Sequence, residues 1–179
     1  MEPFLFLETK KVGCLVIHGL TDDEIEDKVF KDNIFKIDDK NKRKKIISII
    51  LSRIRVLDRY LLEKLISGSL RTEKLVVVYT IMKTDNLFFS FMCDVYKQKI
   101  LSKDFTIKKV DFEKFFKDKK GQDSAKIEKD YISILYEAGL ISSSKSDSNI
   151  LVPIVNKEFT DHFRKMGDEA YIVASMYEE

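Results

Sequence analysis

Histidine, cysteine and proline each occur only twice in this chain of 179 residues, glycine six times and tryptophan not at all. The two histidines, His18 and His162, stand far apart with no partner at ligand spacing, so the sequence offers no metal centre and no histidine acid–base pair. His18, beside Gly19 in an apolar run, reads as a packed side chain, and His162, in a mixed-charge helix, as an exposed one. Cys14 and Cys93 lie among apolar residues without metal spacing, and read as reduced core thiols of a cytoplasmic protein. No glycine-rich loop is present to cradle phosphate, no serine sits in a nucleophile-elbow context, and no Cys–His pair is suggested. Lysines and aspartates interrupt every apolar run well short of the ~20 residues that cross a bilayer. Glu8, Lys10 and Lys11 likewise break the short apolar start, so no secretory pattern forms. The acids Asp22, Asp23, Glu24, Glu26 and Asp27 crowd one helix start, where the macrodipole favours them. Nothing here asks for an enzyme, a cofactor or a membrane, and a nuclease would need acids clustered around a metal.

Charge of one sign is also in short supply. Thirty-two Lys and Arg face 30 Asp and Glu, a net of +2, while 44% of the residues are apolar and can fill a core. The distribution is less even. Residues 36–59 carry a local net charge of +6 and residues 97–129 one of +5. Segregation of sign can give a near-neutral protein a basic face.

The apolar pattern is helical over most of the length. Asp39 to Ser67 contains no glycine or proline, and Ile46, Ile50, Ile54, Leu57, Leu61 and Leu65 recur at spacings of three and four. This spacing predicts one long helix over residues 39–67, with Asp38 or Asp39 at its start and Gly68 at its end. Its first turns hold Lys40, Lys42, Arg43, Lys44 and Lys45, a cationic run at a helix end that already carries partial positive charge. Ahead of it, Met1 to Glu8 reads as extended, Lys11 to Leu20 is ambiguous, and Thr21 with Glu24 forms a capping box for a short helix to about Lys31. Behind it, Leu75 to Lys83 and Asp85 to about Lys99 read as two more helices. The bulky stripe of the second, including Phe88, Phe91, Met92 and Tyr96, reads as core.

From Leu101 the pattern changes. Phe105 to Ile107 is compatible with a strand, Asp111 caps a short helix carrying Phe112, Phe115 and Phe116, and Lys119 to Asp123 reads as a turn. A helix over Ser124 to Ala138 follows, with Lys126, Lys129 and Ser133 on its outer side and Gly139 at its end. Leu140-Ile141 and Ile150-Leu151-Val152 flank a polar tip, Ser142 to Ser148, as in a small hairpin that Pro153 stops. A last helix covers roughly Lys157 to Met166. Strand, helix, turn, helix, hairpin is the order of a winged helix-turn-helix, which places its second helix in a DNA major groove and its hairpin beside the backbone. The expected fold is therefore mostly α: a compact helical bundle around one long helix, with a C-terminal winged-helix-like module carrying a small β-hairpin. The division expected is a helical domain over residues 1–100, and the module with its C-terminal helix over residues 101–179.

Several stretches resemble the BrxA family of BREX bacteriophage-defence systems. They are Leu20 to Val29, Arg43 with Ile50 to Leu57, the run Leu61-Leu62-Glu63-Lys64-Leu65, Lys74-Leu75, Phe88 to Val95, Asp111 to Phe116, Leu135 to Ile141, and Ile150 to Ile154. The resemblance covers nearly the whole chain through many weak positions, with no catalytic motif. It implies a compact, mostly helical protein of the NusB-like kind, associated with DNA binding inside a defence complex. Together with the charge pattern, it leads to the expectation of a non-enzymatic accessory protein that binds nucleic acid, duplex DNA above all. Lys40, Lys42, Arg43, Lys44 and Lys45 form one candidate patch, and Lys119, Lys120, Lys126 and Lys129 a second. Phosphate contacts of this kind position a protein with weak sequence specificity. The competing expectation is an adaptor that docks other BREX proteins without touching DNA.

Overall fold

The computed structural model describes residues 4–117, 124–145 and 147–173. These divide into two compact units, one spanning Leu5–Thr84 and the other made of Phe4 and the described residues from Asp85 onward.

The first unit is built from five helices: α1 (Phe6–Ile17), α2 (Asp22–Lys31), α3 (Lys40–Ile54), α4 (Arg59–Ser67) and α5 (Leu70–Thr84). Its centre is α5, on which every residue from Leu75 to Met82 is buried. A helix apolar all round must be covered all round, and α1, α3 and α4 pack on it. The valine run Val76-Val77-Val78 is thus helical, and its lack of a polar face marks the interior helix. Of the stretch expected to be extended, Phe6 to Glu8 are instead helical, within α1. Gly13 lets α1 lie close to α4, because a Cβ there would meet the Leu65 side chain at 2.9 Å. The capping box forms as the sequence predicts: Thr21 accepts from the Glu24 N–H while Glu24 accepts from the Thr21 N–H.

The single long helix over residues 39–67 is not found. The chain breaks between α3 and α4, where Val56 and Leu57 turn to hydrogen bonds three residues back, and Asp58 takes an extended conformation. The Asp58 carboxylate accepts from the Leu61 N–H at 2.9 Å and opens a new helix. Aspartate is a strong N-cap and an indifferent interior residue. Periodicity alone runs straight through such a break, because both helices bury their apolar sides. Ile54 is buried as expected, whereas Leu57, inside the break, is only half-buried.

The second unit begins with α6 (Asn86–Phe91), a π-helical turn (Met92–Lys97) and α7 (Gln98–Leu101). Strand β1 (Thr106–Ile107), α8 (Lys109–Lys117), α9 (Ser124–Ala138) and β2 (Ser148–Asn149) follow, then α10 (Lys157–Met166) and α11 (Glu169–Val173). Phe91 stacks on Phe112 at 5.0 Å, and Tyr131 stands 5.1 Å from both Phe88 and Phe91, so an aromatic cluster joins α6, α8 and α9. β1 pairs antiparallel with β2, Thr106 opposite Asn149, and Ile150 bridges to Ile141. The buried Tyr96 hydroxyl, on the π-helical turn, lies 3.1 Å from the Leu140 carbonyl and 3.3 Å from that of Leu151, at the base of the hairpin. Three boundaries shift. The helix expected to be capped by Asp111 starts at Lys109, with the Asp111 carboxylate accepting from the Lys108 N–H. Ser148 belongs to a strand rather than to the polar tip, and of the strand expected over Ile150 to Val152 only Ile150 pairs, as a single bridge to Ile141. The turn expected at Lys119 to Asp123 lies outside the described residues.

Candidate nucleic-acid interface

The first basic run sits on the opening turns of α3. The Asp39 carboxylate caps this helix by accepting from the Lys42 N–H at 3.0 Å, so an acid already meets the helix end. Lys40, Lys42, Lys44 and Lys45 are exposed. Arg43 is not, which corrects its assignment as a phosphate contact. It is buried, and its Nη1 donates to the carbonyls of Val29 at 3.1 Å and Phe30 at 3.2 Å. These are orphan carbonyls of the last turn of α2, and a guanidinium there also meets the negative end of the helix dipole. Other cations of the +6 segment are structural too: Arg53 is buried, Arg55 pairs with Asp22, and Arg59 with Glu63.

The second candidate patch belongs to the other unit. Tyr131, Ile132, Ile134, Leu135 and Ala138 of α9 are buried, and this leaves Lys126, Lys129 and Ser133 on its solvent side, as the spacing predicts. Lys119 and Lys120 lie outside the described residues. The structure adds two lysines that the sequence did not single out. A groove of about 550 Å³ runs along α9, lined by Ala125, Glu128, Lys129, Ile132 and Ser133, with Lys109 from the start of α8 and Ser144 and Lys145 from the hairpin tip. Three cations from three separate chain segments therefore share one concavity with a single acid. The tip is held in place: Asp147 accepts from the Lys109 N–H at 3.2 Å, and the buried Ser148 hydroxyl accepts from the Ser143 N–H at 2.9 Å. Lys145 carried a faint signal, as the one cation of a serine-rich tip. Lys109 stood out only within the net charge of residues 97–129, because its relevance depends on where α8 begins.

A second cleft in this unit, about 510 Å³, is lined by Asp94, Lys99, Asp104, Asp111 and Lys114 among others. Two of its acids already share one cation, with Lys99 2.8 Å from both Asp104 and Asp111. Burial lowers the Lys99 pKa, but the hydrogen bonds it donates to these two carboxylates outweigh that and hold it above the usual lysine value.

Neither histidine is placed as the sequence predicts. His18 is exposed at the end of α1, its Nδ1 2.6 Å from the Cys14 carbonyl and 3.9 Å from Cys14 Sγ, so a loose Cys–His neighbourhood exists that the sequence did not suggest. His162 is half-buried next to Phe163. Both cysteines are free and half-buried, and burial pushes the Cys93 thiol pKa up. Among the described residues no three His, Cys, Asp or Glu side chains gather to hold a metal, and no single helix is long and apolar enough to cross a membrane.

The fold and the groove define a class: a small helical protein of two units, one of which carries a lysine-lined channel between a helix and a hairpin. The comparisons narrow this. The sequence profile of the BrxA family matches residues 1–167. A BREX protein BrxA of Bacillus cereus (strain H3081.97) is 36% identical over 181 aligned positions, which cover 96% of this chain and 90% of that protein. The chain belongs to the BrxA family of the BREX phage-defence system. It also shares its fold with a crystal structure of an uncharacterized protein from Magnetospirillum magneticum, at a TM-score of 0.79 and 17% identity over 97% of this chain and 94% of the other.

Proposed function

We propose that this BrxA-family chain is a non-enzymatic, cytoplasmic accessory protein of its BREX system that binds nucleic acid, duplex DNA in particular. The observation that carries the proposal is the convergence of Lys109, Lys129 and Lys145 on one groove beside an exposed helix face. The order β1, α8, α9, hairpin supports a winged-helix-like module, and the all-helical first unit is consistent with a NusB-like one. A major groove about 12 Å wide admits a helix. With α9 lying there, lysines from α8 and the hairpin tip meet the phosphates on either side, release counterions and supply affinity with little dependence on sequence. Lys126 extends the patch along α9, Lys119 and Lys120 adjoin it in sequence, and Lys40, Lys42, Lys44 and Lys45 form a separate basic surface on the other unit.

The runner-up is an adaptor that docks other BREX proteins, and the exposed apolar side chains Phe105, Leu151 and Ile154 favour it. A mobility-shift titration against duplex DNA, single-stranded DNA and RNA at several salt concentrations separates the two. Binding to duplexes that weakens steeply with salt is expected. No binding to any nucleic acid even at low salt leaves the adaptor.

A further inference from the structure

Asp147 is an exposed acid beside a surface proposed to hold a polyanion. By its charge alone it weakens that contact, since a carboxylate repels phosphate. Its bonding gives it another part. The Asp147 carboxylate accepts from the Lys109 N–H at 3.2 Å. Lys109 is the first residue of α8, so this N–H is one of those that a helix start leaves without a partner inside the helix. The carboxylate also meets the positive end of the helix dipole there, which offsets part of its charge. The same bond joins two of the three chain segments that bring lysines to the groove: Lys109 belongs to one, and Lys145 lies two residues before Asp147 on the other. The ladder between β1 and β2 reaches only as far as Ile107 opposite Ser148. Beyond that pair, among the described residues, the Asp147 side chain makes the one hydrogen bond between the tip and α8. The serines of the hairpin bond within it instead. The Ser148 hydroxyl accepts from the Ser143 N–H at 2.9 Å, and the Ser142 hydroxyl from the Asn149 N–H at 3.2 Å. These bonds shape the tip without tying it to the helix.

We propose that Asp147 is a positioning residue for nucleic-acid binding: it holds the hairpin tip against the start of α8 and so keeps Lys145 beside Lys109 and Lys129. This rests on the duplex-binding reading above and adds to it the tether that assembles the groove. A lysine on an untethered tip loses backbone and side-chain freedom when it engages a phosphate. The tether removes part of that cost before binding. Removing this acid should therefore weaken binding to a polyanion, against the sign of its charge.

The test is a titration of one labelled DNA duplex at several salt concentrations with the full chain and four variants: Asp147→Ala, Asp147→Asn, Lys145→Ala, and Asp147→Ala combined with Lys145→Ala. Asp147→Ala is expected to bind several-fold more weakly than the wild type. It should also lower the slope of log affinity against log salt by about one, as Lys145 leaves the phosphates. Asp147→Asn keeps a carbonyl oxygen that accepts from the Lys109 N–H and drops the charge, so it should bind at least as tightly as the wild type. Lys145→Ala should cost clearly less in the Asp147→Ala background than alone, because both changes remove the same contact. All variants should melt close to the wild type, since the bond lies at an exposed tip. Asp147→Ala binding as tightly as the wild type, or more tightly, overturns this inference and leaves the duplex-binding reading intact, because the acid then acts through its charge alone. Asp147→Asn as weak as Asp147→Ala also overturns it, because the acceptor then does not matter. So do equal costs of Lys145→Ala in the two backgrounds, and so does an Asp147→Ala chain that unfolds, which makes the bond one of general stability. Failure of the wild type to bind any duplex at low salt removes the broader reading and this inference with it.

Discussion

The start of α3 and the groove of α9 are both rich in lysine, yet they differ in how their charges are arranged. On α3 the cations are consecutive in sequence, so they fan around the helix, and the one arginine among them turns inward to close the end of α2. Along α9 the cations are sparse in sequence, but the chain returns twice, at Lys109 and Lys145, to place others beside Lys129. A run of four charges spans about one helical turn and cannot all face one ligand. Three charges from three segments can share a concavity. Local charge density thus says little about which cations can face one ligand together, and convergence in space says more.

The sharpest way to break this contrast is Arg43→Ala. With the buried Val29 carbonyl and the partly buried Phe30 carbonyl left without this donor, the variant should lose roughly 3 kcal/mol of stability in denaturant unfolding. Arg43→Ala melting like the wild type, with nucleic-acid affinity reduced, would return this residue to the binding surface. Next in size is the double change Lys129→Ala with Lys145→Ala. It should leave thermal melting nearly unaltered while weakening duplex binding, and should lower the slope of log affinity against log salt by roughly two. A smaller effect is expected for Lys42→Ala with Lys45→Ala. These lysines share a side of α3, and if they act as an outlying phosphate contact the slope should fall by one or less. A drop as large as that of the groove pair would make the two regions equal partners.

The smallest effect is one of acid titration at the other end of α2. The Thr21 backbone N–H, and then its hydroxyl, hold the Glu24 carboxyl below the usual carboxylate range. A depressed folded pKa contributes stability above the unfolded value of about 4.3, lost as pH falls through the folded one. Melting temperatures recorded from neutral pH down to pH 3 should therefore fall less steeply in Glu24→Gln than in the wild type, and parallel curves would show that the box does not titrate in this range.

Much of the architecture was legible wherever a signal is local. The capping box at Thr21, the helix over Ser124 to Ala138 and the helix from Lys157 to Met166 are found as the sequence predicts, because capping residues and apolar spacing act over one or two turns. The break at Asp58 was missed although its cap residue was in view, since an aspartate within a periodic stripe is read as a solvated side chain unless a hydrogen bond to Leu61 is known. Within the proposed binding surface, Lys126 and Lys129 followed from the buried face of their own helix. Lys109 and Lys145 required knowledge of which loops come back to it.

By itself, then, the sequence determined the helical character of the chain, the apolar positions that form its cores and the family to which its scattered matches point. Each of these depends on residues a few positions apart, or on the pattern as a whole. Only the tertiary structure decided that α5 rather than α3 is the interior helix of the first unit, that Arg43 caps a helix, and that Lys109 and Lys145 join Lys129. Burial and electrostatic partnership depend on distance in space, and residues 14 or 36 positions apart become neighbours only when the chain has folded.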